Sequence, residues 1–237
     1  MFDATVSDGV LRLARPDARW LSTGFDGGER RADAAYNVTV PEGWDRTDLA
    51  DYVTERRADA GFDADGPALL TGVSQRHARV ARRGPATAVA TAGLSNPAPL
   101  FAADAGSAGH ETASDDAPPV GTVNVFVGVE RSLAPGALSN LVAVAASAKA
   151  ATLSRTAGFP GTTTDAVVAA CGPDAERARF SGTGTAVGAA ARACVRDAVR
   201  ASLDSRYANE EAIPDSVADA RHGVAPVPEA DVEVFEP

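Results

Sequence analysis

The strongest constraint on what this chain can fold into is residues 121–129, GTVNVFVGV. Valines alternate at Val123, Val125, Val127 and Val129, while Thr122, Asn124 and Phe126 occupy the other face, the period of two that marks a strand. A long helix follows. Pro135 stands near its start, it runs to about Thr156, and Gly158 and Pro160 stop it. A buried-type strand is predicted over residues 165–170, and a last helix from about Thr185 to Leu203. The apolar stripe of that helix is Val187, Ala191, Cys194 and Ala198, with Arg192, Arg196 and Arg200 on the opposite face. Upstream, Asp8-Gly9 reads as a hairpin turn between short strands, and further strands are predicted over residues 18–22, 35–40, 68–72, 76–82 and 87–92. A helix over residues 48–60 follows Thr47 as N-cap and stops at Gly61. These elements predict an α+β fold: a mixed or mostly antiparallel sheet layered with at least three helices, in a single domain. The domain is expected over residues 1–204. Residues 102–119 are expected to form a long exposed acidic loop. Residues 205–237, with eight acids and two arginines, are expected to form a flexible acidic tail.

Charge narrows the class of function. The formal net charge is −10, the wrong sign for a protein that displaces counterions from nucleic-acid phosphates or lies on an anionic membrane. Lys149 is the only lysine and Ile213 the only isoleucine. An acidic chain that uses arginine almost exclusively matches the cytoplasmic proteins of salt-loving microbes, where concentrated salt screens self-repulsion. Cys171 and Cys194 are too few for a disulfide scaffold and too far apart for a zinc knuckle. The acidic N-terminus lacks the form of a signal peptide, and no stretch approaches the ~20 apolar residues of a membrane span. The expected partners are therefore a small molecule and, as an option, further copies of the chain.

Several chemistries lack their motifs. The single lysine precedes alanine, so there is no phosphate loop of the GxxxxGK[ST] type, and GxSxG, HExxH and CxxC are absent. His77, His110 and His222 are read as surface histidines, and no metal site is expected. GTGTAVG, residues 182–188, opens the last helix. It reads either as a tight turn allowing close packing or as an anion cradle at a helix N-terminus.

Four stretches combine small residues with neutral hydrogen-bonding groups at strand ends: residues 21–37, TAGLSNP at 91–97, GTVN at 121–124, and GTTTD at 161–165. Convergent Asn, Thr and backbone amides suit a neutral, amide-rich ligand. Together with GTGTAVG, and in this order, the stretches resemble the archaeal-type adenosylcobinamide amidohydrolase family over about residues 10–203. The resemblance implies hydrolysis of the amide that joins the aminopropanol arm to the corrin ring system. The product is adenosylcobyric acid, in corrinoid salvage. It also implies a corrinoid substrate carrying its own cobalt, and no separate cofactor. Ser147 stands where the family leads one to expect an acid.

The resemblance supplies a reaction but no catalytic residues, which have to come from chemistry. Amide hydrolysis needs an attacking oxygen, stabilisation of the oxyanion and a proton for the departing amine. The candidates are Lys149, Asp165, Thr164, Thr91, Asn96 and Asn124 at the reaction centre, with Gly27, Gly28, Asn37 and Thr183 as substrate contacts. Lys149 is the sharpest of them. At ~100° per residue it falls within the stripe formed by Leu138, Val142, Ala145 and Leu153, away from the helix ends. It is expected to be partly buried and to need a partner such as Asp165. The alternative functions are a non-catalytic corrinoid or small-ligand binding protein on the same scaffold, and a nucleotide-dependent enzyme using GTGTAVG.

Overall fold

The structure, a computed structural model, describes residues 2–101, 122–173, 177–208, 213–214, 219–220 and 233–236. The expected loop at 102–119 and most of the expected tail lie outside the described residues. In chain order the elements are β1 (Asp3–Ser7), β2 (Val10–Ser22), β3 (Gly28–Thr39), α1 (Leu49–Asp59), β4 (Ala68–Thr71), β5 (Arg79–Arg83), β6 (Ala86–Ala92), β7 (Val123–Val129), α2 (Pro135–Ala157), β8 (Ala166–Cys171) and α3 (Ala186–Arg206). The β1–β2 hairpin turns at Asp8 and Gly9, both at positive φ (43° and 74°), the backbone that a two-residue primed turn requires.

All eight strands join one mixed sheet in the order β4-β3-β2-β8-β7-β6-β5, with β1 on β2. The β3–β4 and β7–β8 pairs are parallel and the others antiparallel. β2 is the pivot. Its first half pairs with β1 and its second half with β8, and its register against β3 shifts between Ala14 and Ala18. Such a bulge sharpens twist and bend. The sheet folds over far enough for Asn124 Nδ2 on β7 to donate to the Leu70 carbonyl on edge strand β4, at 2.9 Å.

Each face of β7 therefore meets its own core. Val123, Val125, Val127 and Val129 pack under α2 and α3 with Leu138, Leu141, Val195 and Val199. Phe126 lies inside the fold of the sheet with Phe2, Leu13, Trp20 and Leu69. There Phe2 stacks on Trp20, ring centroids 5.4 Å apart, and covers Gly128, where any side chain would collide with the Phe2 ring. α1 closes a third cluster with Tyr36, Val38, Tyr52 and Phe62.

The structure corrects several local expectations. Asp48, not Thr47, is the N-cap of α1, and it makes no side-chain cap bond. The segment predicted as a strand from residue 76 begins instead as a short 3-10 turn, Gln75–His77, closed by the His77 N–H on the Ser74 carbonyl and the Ala78 N–H on the Gln75 carbonyl, both at 3.0 Å. His77 is not a surface residue. It is buried, and its Nδ1 lies 3.0 Å from Ser205 Oγ. Burial, and then the charges of Arg76, Arg206 and Arg79, hold its pKa below the usual imidazole value. His110 and His222 lie outside the described residues. α3 continues through Arg206, and the Leu94 N–H donates to the Tyr207 hydroxyl at 2.8 Å. Contrary to the expectation of no such stretch, α2 is long and apolar enough by length and composition to cross a membrane. Its apolar face, however, is seated on the sheet and α3.

Candidate active site

α2 lies over β7 and β8, with Pro at its first turn and Gly158 in the left-handed conformation (φ 78°) at its end. Leu138, Ala145 and Leu153 are buried as the stripe requires, and Lys149 descends between them to the start of β8. There Nζ forms an ion pair with Asp165 Oδ2, so the partner expected from the sequence is the one found. Both side chains keep a small exposed edge, 12% for Lys149 and 10% for Asp165.

Asp165 is the hub. Oδ1 accepts the Val123 N–H at 2.9 Å and the Thr162 hydroxyl at 2.5 Å, and Oδ2 also accepts the Thr162 N–H at 3.0 Å. Three of the four contacts come from β7 or from the GTTTD turn, so the carboxylate pins the turn to the strand and presents Lys149 at the strand starts. Gly161 is required there by space: a Cβ would run into the Asp165 carboxylate and the Lys149 ammonium.

The three consecutive threonines diverge. Thr162 serves Asp165, Thr163 Oγ1 receives Asn96 Nδ2 at 2.5 Å, and Thr164 Oγ1 lies 2.9 Å from Thr122 Oγ1. The segment around Asn96 is laced to the turn by an isolated bridge, Pro97 to Thr162, and by the Ala98 N–H on the Gly161 carbonyl at 3.0 Å. Asn96 Oδ1 is buried and has no partner. Lys149, Asp165, Thr164 and Asn96 thus form one connected site, to which the structure adds Thr162, Thr163 and Thr122. Thr162 had a signal in the sequence, a hydroxyl three residues before an aspartate in a glycine-led turn. Thr163 and Thr122 had none that set them apart from their neighbours.

The other candidates go elsewhere. Asn37, Thr91 and Asn124 do meet, but inside the folded sheet. Asn37 Nδ2 donates to Thr91 Oγ1 at 2.9 Å, and Asn124 Nδ2 donates to Asn37 Oδ1 at 2.8 Å. Gln75, which no sequence signal singled out, shares Asn37 and receives its amide at 3.3 Å. All four are essentially buried. Side chains alternate across a strand, so Asn124 points to the opposite face from Val123, whose backbone binds Asp165. Gly27 lies in the exposed connection from β2 to β3, and Gly28 is the first residue of β3. Gly28 is at φ 113°, and the connection is anchored to the start of β8 by Thr23, which bonds Val167 in both directions.

Thr183 does not join the Lys149 site. It lines a groove between α2 and α3, beside a loop whose Ser181 receives Asn140 Nδ2 at 3.1 Å. Asn140 precedes Lys149 by about two and a half turns of α2. GTGTAVG is a tight turn in a specific sense. Thr185 caps the helix through the Gly188 N–H, and a Cβ at Gly188 would collide with the Ser181 and Gly182 carbonyls. The glycine permits the loop to fold back on its own helix rather than helix to approach sheet. Among the described residues no group of three or more His, Cys, Asp or Glu stands together in a form that could hold a metal ion.

Comparison with known proteins matches residues 3–211 to the adenosylcobinamide amidohydrolase family. An adenosylcobinamide amidohydrolase from Halobacterium salinarum is 58% identical over the full length of both proteins. One from Methanosarcina mazei is 26% identical over 82% of this chain and 94% of its own. Among solved structures, the PH0078 protein of Pyrococcus horikoshii aligns with 85% of this chain and 78% of its own, at 13% identity and a TM-score of 0.42.

Proposed function

The chain belongs to the adenosylcobinamide amidohydrolase family, and from that premise we propose that it hydrolyses the aminopropanol amide of adenosylcobinamide at the Lys149–Asp165 site. The family match over nearly the whole chain supports the reaction. The observation that carries the site is the single lysine of the chain, drawn to the strand starts by a carboxylate and left with an exposed edge.

Asp165 already receives four donors, so its work is to hold Lys149 rather than to take a proton. Lys149 uses one of its three N–H donors on Asp165. The other two address the substrate carbonyl oxygen, where negative charge develops, and the departing amine. Such a donor in a water-poor site contributes ~100-fold or more. A water adds to the amide carbon, the C–N bond breaks, the amine leaves protonated and the corrinoid keeps the new carboxylate. Asn96, fixed on Thr163 through its Nδ2, and the Thr164–Thr122 hydroxyl pair brace the turn that carries Asp165. Cobalt takes no part, since the bond broken lies on a peripheral arm.

Phe25, in the β2–β3 connection, and Leu100 and Phe101, beyond the Asn96 segment, are large exposed apolar residues. They leave the strand-start region with apolar surface for a macrocycle. The acidic, lysine-poor composition and the relative from a halophilic archaeon support a cytoplasmic enzyme working in concentrated salt. The test is incubation with adenosylcobinamide in molar potassium chloride, with and without a chelator. Free aminopropanol should appear at equal rates in both. Retention of the corrinoid without its cleavage would favour a binding protein.

A further inference from the structure

A groove of about 810 Å³ runs between α2 and α3, lined by Arg83, Arg155, Arg192, Arg196 and Arg200, with Thr183 at the α3 end. Five guanidinium groups converge there in a chain of net charge −10. Elsewhere six arginines, Arg19, Arg30, Arg31, Arg46, Arg56 and Arg57, sit in ion pairs. In the groove, among the described residues, only Arg196 has one, with its neighbour Asp197. Arg83 and Arg200 reach Asp197 through longer-range attraction, and Arg155 and Arg192 pair with no carboxylate among the described residues. Among the described residues, one paired carboxylate against five arginines leaves a concentrated positive field.

Geometry selects the ligand. Arg192, Arg196 and Arg200 recur every four residues, so they form a row about 12 Å long on one face of α3, faced by Arg155 from α2. A single monoanion occupies one point of such a row, whereas an extended polyanion engages all of it. Guanidinium groups bind phosphate through two parallel hydrogen bonds, a directional gain that a chloride ion cannot match. The volume is that of a small-molecule site rather than of a macromolecular interface. The GTGTAVG turn adds Thr183 and the N-terminal end of α3, which favours negative charge.

We propose that the α2–α3 groove is a second ligand site, separate from Lys149–Asp165, that binds an oligophosphate, either free or carried by a nucleotide. Calorimetric titration of the full chain in molar potassium chloride, with tripolyphosphate and with ATP as probes, tests it. Saturable binding of at least one probe is expected. Equal affinities would mean that the phosphates alone are recognised, and tighter ATP binding would mean that the nucleoside contributes. The double substitution Arg155→Gln, Arg192→Gln removes two exposed, unpaired side chains, so the fold is expected to persist, as checked by circular dichroism. It should weaken binding at least 10-fold while leaving aminopropanol release without added phosphate at the wild-type rate. Absence of binding by the wild-type protein, or undiminished affinity in the double variant, would overturn the proposal. A parallel loss of aminopropanol release would overturn the separation of the two sites.

Discussion

Two polar networks sit back to back across β7, and they differ in every respect that matters for chemistry. The network at the strand starts contains a charged pair, keeps an exposed edge and gathers its members from α2, β7 and the GTTTD turn. The network inside the folded sheet contains Asn37, Thr91, Asn124 and Gln75. It is neutral, buried, and drawn from positions as far apart as residues 37 and 124. Neutral amides and hydroxyls can be buried at small cost when they bond one another; here Asn37, Thr91, Gln75 and the Asn124 amide nitrogen do so while Asn124 Oδ1 stays unpartnered, and the inner network ties the folded sheet together. A buried ion pair recovers its desolvation only with good geometry and further hydrogen bonds. Its persistence at a partly open edge points to use rather than support.

The largest effect that would test this contrast is at Lys149. Lys149→Met keeps the stem and leaves Asp165 with three backbone and hydroxyl donors, so the fold should persist while turnover falls ~100-fold or more. Wild-type turnover in a folded variant would remove the residue from the mechanism. The converse change is Asn124→Leu, which strands Asn37 Oδ1 and the Leu70 carbonyl. It should cost about 2 kcal/mol of stability by chemical denaturation and leave turnover of the folded fraction nearly intact. A large loss of turnover without loss of stability would move Asn124 into the reaction centre.

A smaller effect is expected at Gly161→Ala. Its backbone conformation tolerates alanine, so the change acts only by displacing the ion pair, and a roughly 10-fold fall in turnover is expected from misplacing the proposed catalytic lysine. If steady-state rates were unchanged, the pair would not need its present geometry. The smallest effect lies at the junction of β5 with α3. His77 is buried with its pKa depressed, so the unfolded chain takes up the proton first. Stability is then complete above the unfolded imidazole pKa of ~6.5 and declines as pH falls below it. Melting temperatures from pH 8 to 5 should show this slope, and His77→Gln should flatten it. An unchanged slope in the variant would assign the acid sensitivity to other groups.

Much of the fold was legible because its elements are locally encoded. The valine alternation of β7, the Pro135 and Gly158 limits of α2 and the Asp8-Gly9 turn each act within a few residues. Half of the site was legible for the same reason. Lys149 stood out as a single amine on an apolar stripe, and Asp165 closed a turn rich in threonine. Asn37, Thr91 and Asn124 were also recognisable as polar groups at strand ends. Their residue types did not reveal that they face one another, away from Lys149, because that follows from the strand pairing and from the bend in β2. His77 illustrates the same limit. Nothing in its neighbourhood of arginines marks it as buried; the end of α3, more than a hundred residues later, covers it.

The sequence by itself determined the strands and helices, the reaction class through the order of its motifs, and the one amine available for chemistry. The tertiary structure decided which polar residues stand beside that amine, which lie sealed on the other side of β7, and that the arginines of α3 face Arg155 across a groove. The division has a physical cause. Periodicity and capping are settled by interactions within a turn or two of chain, whereas a site assembled from several strands and helices depends on register and on the fold of the sheet, where moving one strand by a single residue turns every side chain to the opposite face.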